Sequence, residues 1–230
     1  MDTWKARVKV SRPIFSARLR YVAAALLAAT FALAPSPAAT AEKPPAGAKS
    51  GFVRAPGGVR IHYLEAGLTT DRSGPKPSLL FVPGWTMPAW IWDAQIKYFS
   101  KAFQVVAIDP RSQGESTRTD DGNSPEIRAG DIGAVIDDRK LAPVVLIGWS
   151  QGVADVLAYA DQSGQKDLSG LVLVDGFAGF DADAGIAQAF MGIYSRMLKD
   201  RSTFTSAFVK SMFKSTQSED YLARLTAAAE

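Results

Sequence analysis

The feature that most constrains this chain is the pentapeptide Gly148-Trp149-Ser150-Gln151-Gly152. It follows an unbroken apolar run, residues 144–147, and leads into a run of helical character, residues 153–160. On a tight turn between a buried strand and a helix, side chains flanking the serine would clash with neighbouring backbone, which accounts for the two glycines. The pattern predicts that Ser150 is presented as a nucleophile, with an ordinary Gly-Ser turn of a parallel-sheet protein as the alternative.

The position of Ser150 at the start of a helix also predicts how negative charge would be stabilised. The unpaired N–H groups and the positive end of the helix dipole face the place where an attacked carbonyl oxygen would become negative. The backbone N–H of Gln151 is therefore predicted to be the first oxyanion donor.

Short apolar runs alternate with helix-length segments along the chain. The predicted strands are residues 59–64, 79–82, 105–108, 144–147 and 171–174, and the predicted helices are residues 89–99, residues 125–139 and the segment after Ser150. This alternation indicates βαβ units and a parallel sheet covered on both faces. The predicted fold class is α/β, with a mostly parallel, doubly wound sheet.

Four motifs in order resemble the α/β hydrolase superfamily, within it the cap-bearing branch of esterases, cofactor-free haloperoxidases, dehalogenases and epoxide hydrolases. They are residues 58–67, similar to the family's second strand; residues 81–85, its oxyanion loop; residues 109–116, its D-x-R-x-x-G-x-S loop; and the Ser150 turn, its nucleophile elbow. The resemblance implies a second oxyanion donor in the N–H of Trp85, whose side chain either lines a pocket or packs in the core. The family usually has His-Gly where this chain has Pro83-Gly84, which leaves open how the loop is braced.

The resemblance also implies a base and an acid. The chain contains one histidine, His62, in an early strand, whereas the family's histidine follows the last strand, so His62 is predicted to be structural. Asp175, at the end of the last predicted strand, is the candidate acid, against a hydrogen-bonding role at a strand end. Asp155 is rotated away from the Ser150 face of its helix and is expected to be solvated.

Residues 181–230 read as helices only, so the chain is interpreted as the N-terminal portion of a longer enzyme that ends inside an incomplete helical cap. Lacking the family's histidine, it is expected to be inactive or nearly so. Two apolar stripes at helical spacing run through this segment, and they either line an acyl pocket or pack on what lies beneath. The stripes are Phe190, Ile193, Tyr194, Met197 and Leu198, and then Phe204, Phe208, Met212 and Phe213.

A serine at the elbow favours acyl transfer over the carboxylate chemistry of dehalogenases and epoxide hydrolases. The predicted function is hydrolysis of carboxylic ester-type bonds in a small-molecule substrate, through an acyl-enzyme on Ser150 and without a cofactor. The Trp-rich segment, residues 84–93, resembles cofactor-free haloperoxidases, which keeps a haloperoxidase or perhydrolase activity open. From a different class, a non-catalytic binding derivative of the fold is the alternative.

The beginning of the chain predicts export. Residues 1–41 contain a basic stretch, an apolar run of about thirteen residues and a Pro-Ala-Ala-Thr-Ala sequence, which together predict a signal peptide cleaved after Ala41. A membrane anchor is disfavoured because the apolar run is short for a span. The expected location is periplasmic or secreted, with residues 42–50 as a flexible lead-in and residues 51–180 as the hydrolase core.

Charge and composition exclude several other partners. Six of the 26 Lys and Arg and one of the 23 Asp and Glu lie in residues 1–41, which leaves twenty basic and twenty-two acidic side chains. No basic stripe remains, so nucleic-acid binding has no support, and no membrane contact is expected after cleavage. The absence of cysteine excludes disulfides and thiolate metal sites, and a single histidine leaves no visible metal cluster.

Overall fold

Six strands form one mixed sheet in the computed structural model, which describes residues 44, 47–67, 76–176 and 184–230. The strands are β1 (Lys49–Arg54), β2 (Arg60–Ala66), β3 (Ser78–Val82), β4 (Val105–Ile108), β5 (Val144–Trp149) and β6 (Leu168–Val174). Their order across the sheet is β1-β2-β4-β3-β5-β6. β4, β3, β5 and β6 run parallel, whereas β1 and β2 are antiparallel to their neighbours. The predicted α/β fold with a mostly parallel sheet is confirmed.

Six α-helices accompany the strands in the described ranges. They are α1 (Asp93–Phe99), which a 3₁₀ turn at Ala89–Trp92 precedes, α2 (Pro125–Arg139), α3 (Gln151–Gln162), α4 (Ala184–Lys199), α5 (Arg201–Ser211) and α6 (Glu219–Ala229). Helix α2 begins with Pro125 at a position where no N–H is needed, and Lys140, which follows its last residue, adopts the left-handed conformation. Asp200 and Ser218 cap α5 and α6 by accepting hydrogen bonds from backbone N–H groups.

The two faces of the sheet bury two separate apolar clusters. Along β3 the side chains alternate, so that Leu80 and Val82 face one cluster while Leu79 and Phe81 face the other. Helices α2 and α3 cover the first cluster. The second lies under the segment around Trp90 and Trp92, and helices α5 and α6 contribute buried residues to it. The segment predicted as a cap is therefore continuous with the core in this part of the structure.

Strand β1 is the element that the sequence patterns did not indicate. It begins at Lys49, two residues inside the range expected to be a flexible lead-in, and pairs along its length with β2. Strand β6 begins at Leu168, before the apolar run that predicted it. Its last four residues, Leu171–Val174, are 36–45% exposed because β6 forms the edge of the sheet in the described part of the chain.

The expectation that Asp155 is solvated is wrong. Asp155 is 1% exposed, and its carboxylate lies 3.6 Å from the Arg128 guanidinium of α2. The side of α3 away from Ser150 packs against α2, so both charged side chains are enclosed between the two helices.

Residues 1–41 lie outside the described residues, and none of the described helices has the length and hydropathy needed to cross a bilayer.

Candidate active site

Ser150 stands at the carboxyl end of β5 in a strained backbone conformation. Its φ is +53° and its ψ is −115°, a combination that side-chain-bearing residues rarely adopt. Helix α3 begins at the next residue, and the Ser150 N–H donates to the Val174 carbonyl of β6 at 2.9 Å. Ser150 is exposed to solvent, and its role as the nucleophile stays a prediction.

The glycines on both sides of Ser150 fit a turn with no space for side chains. A methyl group at Gly148 would lie 2.5 Å from the Gly152 carbonyl oxygen, and one at Gly152 would overlap the carbonyl of Val82. Contacts this short with backbone atoms cannot be relieved by a side-chain rotation. Only glycine therefore fits at these two positions without a backbone shift.

The loop after β3 meets the elbow directly. A methyl group on Gly84 would lie 3.1 Å from Ser150 Cβ, which places the following residue, Trp85, beside the nucleophile. Within the described residues, the N–H groups of Trp85 and Gln151 donate no hydrogen bond. Free backbone donors beside a serine hydroxyl are what an oxyanion requires, and the assignment of Trp85 and Gln151 to this role stays a prediction.

Aromatic side chains of α5 cover the Trp85 side of this loop. The Trp85 ring lies 5.7 Å from Phe208 and 6.4 Å from Phe204, and these two phenylalanines stack on each other. Trp85, Phe204 and Phe208 are all half-buried. Phe204 and Phe208 of the second predicted stripe thus form an apolar wall over the Trp85 loop, whereas Met212 and Phe213 of the same stripe pack against the core. In the first stripe Met197 is buried, Ile193 and Leu198 are exposed, and the Phe190 side chain lies outside the described residues.

Asp175 follows β6, the strand that neighbours β5. The register pairs Trp149 with Val174, so Asp175 and Ser150 follow neighbouring strands at the same level. Asp175 has a φ of +44° and is exposed. Its assignment as the acid stays a prediction.

His62 lies far from Ser150 in the sheet. Strand β2 is separated from β5 by β4 and β3, and three strand spacings amount to roughly 14 Å. The imidazole Nδ1 lies 2.8 Å from Asp109 Oδ2, and the ring is 4% exposed. His62 is therefore held elsewhere and does not contact the Ser150 hydroxyl.

The sequence left open how the loop that contains Pro83-Gly84 is held in place, and in the structure Asp109 holds it through Ala89. Its two carboxylate oxygens accept hydrogen bonds from the backbone N–H groups of Ala89 and Glu115 in addition to the contact with His62. The loop after β4 also approaches Asp109 closely at Gly114, because a methyl group there would overlap the Asp109 carboxylate. The D-x-R-x-x-G-x-S motif was the sequence signal for this brace, although its partners could be read only from the fold.

Buried ion pairs support the loop from below. Arg111 forms a bidentate contact with Asp131 of α2, at 2.6 and 2.5 Å, and both side chains are buried. Burial raises the pKa of Asp155 to about 6, against the opposing effect of Arg128.

Among the described residues, no group of three or more His, Asp or Glu is arranged to hold a metal ion.

Comparisons with known proteins agree with this geometry. A model of the Alpha/beta hydrolase family matches residues 79–230. The chain belongs to this family. Its relatives include an esterase/perhydrolase, a chloroperoxidase and an epoxide hydrolase, so membership of the family establishes the fold but leaves the reaction open.

This alpha/beta hydrolase is similar to a bifunctional esterase/perhydrolase of Acinetobacter calcoaceticus, 29% identical over 67% of the chain and 56% of the relative. A non-heme chloroperoxidase of Burkholderia pyrrocinia is 36% identical over 40% of the chain and 34% of the relative. The chain thus spans about half the length, or less, of these curated relatives. An esterase structure from Exiguobacterium antarcticum superposes with a TM-score of 0.69 at 21% identity, over 79% of the chain and 68% of the esterase, which shows a shared fold.

Proposed function

We propose that Ser150 is the nucleophile of a serine hydrolase that cleaves small carboxylic ester-type substrates through an acyl-enzyme. The observation that carries the proposal is the exposed, strained Ser150 on a glycine-flanked turn, with the free N–H groups of Gln151 and Trp85 beside it. This is the set of groups that acyl transfer needs at the attacked carbonyl. The esterase among the relatives supports the same chemistry.

The apolar wall of Trp85, Phe204 and Phe208 indicates an acyl group of apolar character. Aromatic faces bury hydrocarbon well and offer little to a charged substrate. Two buried polar atoms adjacent to the donors, Thr86 Oγ1 and Gln151 Oε1, have no hydrogen-bond partner within the described residues. A polar group of a bound substrate at this position would supply the missing hydrogen bonds.

We also propose that the 230-residue chain alone does not turn over esters. Its one histidine, His62, lies three strands away from Ser150 and is hydrogen-bonded to Asp109, so Ser150 has no imidazole base. For a chain extended to the length of the curated relatives, of which this chain spans about half, we expect hydrolysis of p-nitrophenyl acetate. The Ser150→Ala variant of that extended chain should lose this activity by about three orders of magnitude or more. The 230-residue chain should not exceed its own Ser150→Ala variant.

A second candidate is peroxide-dependent chemistry at the same serine. An esterase/perhydrolase and two chloroperoxidases are among the similar proteins. In this version hydrogen peroxide replaces water at the acyl-enzyme and releases a peracid. Peroxide-dependent halogenation in acetate buffer, lost in Ser150→Ala, would establish it; ligand-dependent thermal stabilisation with no turnover in either length would instead favour a binding protein.

Export is a further part of the proposal. Residues 1–41 have the order of a signal peptide, and we propose cleavage after Ala41. N-terminal sequencing of the protein from the cell envelope or medium should begin at Glu42. An uncut protein in the cytosol would contradict export without affecting the assignment of Ser150.

A further inference from the structure

Three side chains at the other side of the sheet form a connected chain of hydrogen bonds. Ser50 Oγ lies 2.8 Å from His62 Nε2, and His62 Nδ1 lies 2.8 Å from Asp109 Oδ2. Ser50 is exposed, whereas His62 and Asp109 are 4% and 2% exposed. An accessible hydroxyl is thus connected to a buried carboxylate through one imidazole.

The sheet register explains why these residues meet. Strand β1 pairs Phe52 with His62 and Ser50 with Leu64, so Ser50 and His62 are diagonal neighbours on one face. Asp109 follows β4 directly, and its N–H donates to the His62 carbonyl at 3.0 Å. The Phe52 ring, 5.2 Å from the imidazole, packs against it. Paired backbone therefore fixes all three side chains.

The hydrogen bonds around Asp109 fix the roles of the two imidazole nitrogens. The carboxylate already accepts from the N–H groups of Ala89 and Glu115, and a carboxylate has acceptors only. His62 Nδ1 must therefore carry the hydrogen that faces Asp109. In the neutral ring this leaves a lone pair on Nε2, which accepts the hydroxyl hydrogen of Ser50.

We propose that Ser50, His62 and Asp109 form a second nucleophilic site, at which Ser50 is acylated by activated carboxylic esters or phosphonylated by fluorophosphonates. The connectivity of nucleophile, base and orienting carboxylate is the one that activates a serine hydroxyl. The nucleophile and the base of this second site take no part in the proposed Ser150 chemistry, although Asp109 also accepts a hydrogen bond from Ala89 in the loop that carries Trp85. The second site stands or falls separately from the proposed function.

The reaction with a fluorophosphonate conserves atoms and charge as follows. Ser50 Oγ bonds to phosphorus while its proton passes to His62 Nε2, and fluoride leaves with the electron pair of the broken P–F bond. The imidazolium is stabilised by Asp109 and then releases its proton to solvent. With an ester, Oγ bonds to the carbonyl carbon, and the leaving alkoxide takes the proton from Nε2 to depart as an alcohol.

The test is a labelling experiment on the 230-residue chain with a fluorophosphonate probe, read by tryptic peptide mass spectrometry. Cleavage after Lys49 and Arg54 places Ser50 in a peptide of residues 50–54, whereas Ser150 falls in the peptide of residues 141–166. We expect label on Ser50 at a rate at least tenfold above that of other exposed serines, such as Ser211. Labelling of Ser50 at the same rate as those serines would overturn the proposal.

Two controls separate activation from mere exposure. His62→Gln should reduce Ser50 labelling by tenfold or more, whereas Ser150→Ala should leave it unchanged. Because His62 is buried, folding of the variant is verified by circular dichroism. If it does not fold, labelling of the unmodified chain in urea replaces it: unfolding breaks the contact and should abolish the preference for Ser50. Retained preference in His62→Gln or in urea would refute the role of the imidazole.

Discussion

A methyl group on Gly84 would lie 3.1 Å from Ser150 Cβ, so the loop after β3 and the elbow after β5 are in direct contact. This contact determines the position of the oxyanion donor on Trp85 relative to the hydroxyl. The spacing is tighter than ordinary van der Waals contact. A small increase in volume at Gly84 must therefore move one of the two partners.

In a chain extended to the length of its relatives, Gly84→Ala should accordingly reduce ester turnover while leaving the protein folded. A displacement of a few tenths of an ångström at reacting atoms is expected to cost roughly tenfold in kcat/KM. Steady-state kinetics with p-nitrophenyl acetate measure the effect. Gly130→Ala is the matched control, because an added methyl on α2 would lie 3.7 Å from Pro56; equal losses in both variants would contradict the contact argument.

Phe208→Ala should alter substrate preference more than chemistry. The variant removes the edge contact with Trp85 and the stack with Phe204, which opens the apolar wall. We expect KM for p-nitrophenyl esters of longer acyl chains to rise by about threefold to tenfold, with a smaller change for acetate. Leu198→Ala, at a position 52% exposed on α4, should change neither.

The buried pair of Arg111 and Asp131 should matter more for stability than the exposed pair of Arg139 and Asp138. Asp131→Ala leaves a buried guanidinium without its bidentate partner, which costs about 3–5 kcal/mol of unfolding free energy. Asp138→Ala breaks a 3.5 Å contact at the surface and should cost below about 1 kcal/mol. Urea unfolding of the two variants measures both values, and similar losses would refute the distinction.

Asp155 predicts an unusual pH dependence. Its pKa is raised to about 6 in the folded chain, from an ordinary value of 3.8, chiefly by burial. The folded state therefore binds the Asp155 proton more tightly than the unfolded state does. Protonation of Asp155 thus stabilises the fold, and this contribution is complete below about pH 4 and lost as pH rises through about 6. Wild-type stability should fall relative to Asp155→Asn, which stays neutral, by about 2–3 kcal/mol between pH 4 and pH 7.

Urea unfolding of wild type and Asp155→Asn at several pH values isolates this group, because all other titrations cancel in the difference. A difference that moves in the opposite direction would mean that pairing with Arg128, at 3.6 Å, outweighs the cost of burying the carboxylate. Asp137→Asn, on the exposed side of α2, is the matched control and should show no comparable trend.

Local patterns were sufficient for the elements that position the candidate site. Strand Val105–Ile108 and helix Pro125–Arg139 have the predicted bounds, because an apolar run and a proline at the first helical position mark them locally. Ser150 is likewise specified by its own glycines. By contrast, β1 has a buried side chain only at Val53, and it exists through pairing with β2 rather than through local apolar content.

The contacts that could not be predicted from the sequence are those between residues that lie far apart in the chain. Asp155 was expected in solvent because nothing in α3 indicates that Arg128 of a different helix faces it. His62 was placed correctly as a strand residue, yet its contacts with Ser50 and Asp109 depend on residues 12 and 47 positions away. A register between strands decides such contacts, and the one-dimensional pattern does not contain it.

Asp109 gives the two serines a common dependence. One of its oxygens holds the Ala89 end of the Trp85 loop, and the other holds the imidazole that faces Ser50. Neutralising this single side chain would therefore lower the reactivity of both serine hydroxyls at once, whereas replacing either serine removes only its own hydroxyl. In a chain that supplies a base to Ser150, loss of label from both serines in Asp109→Asn would show that one carboxylate governs reactivity on both flanks of the sheet.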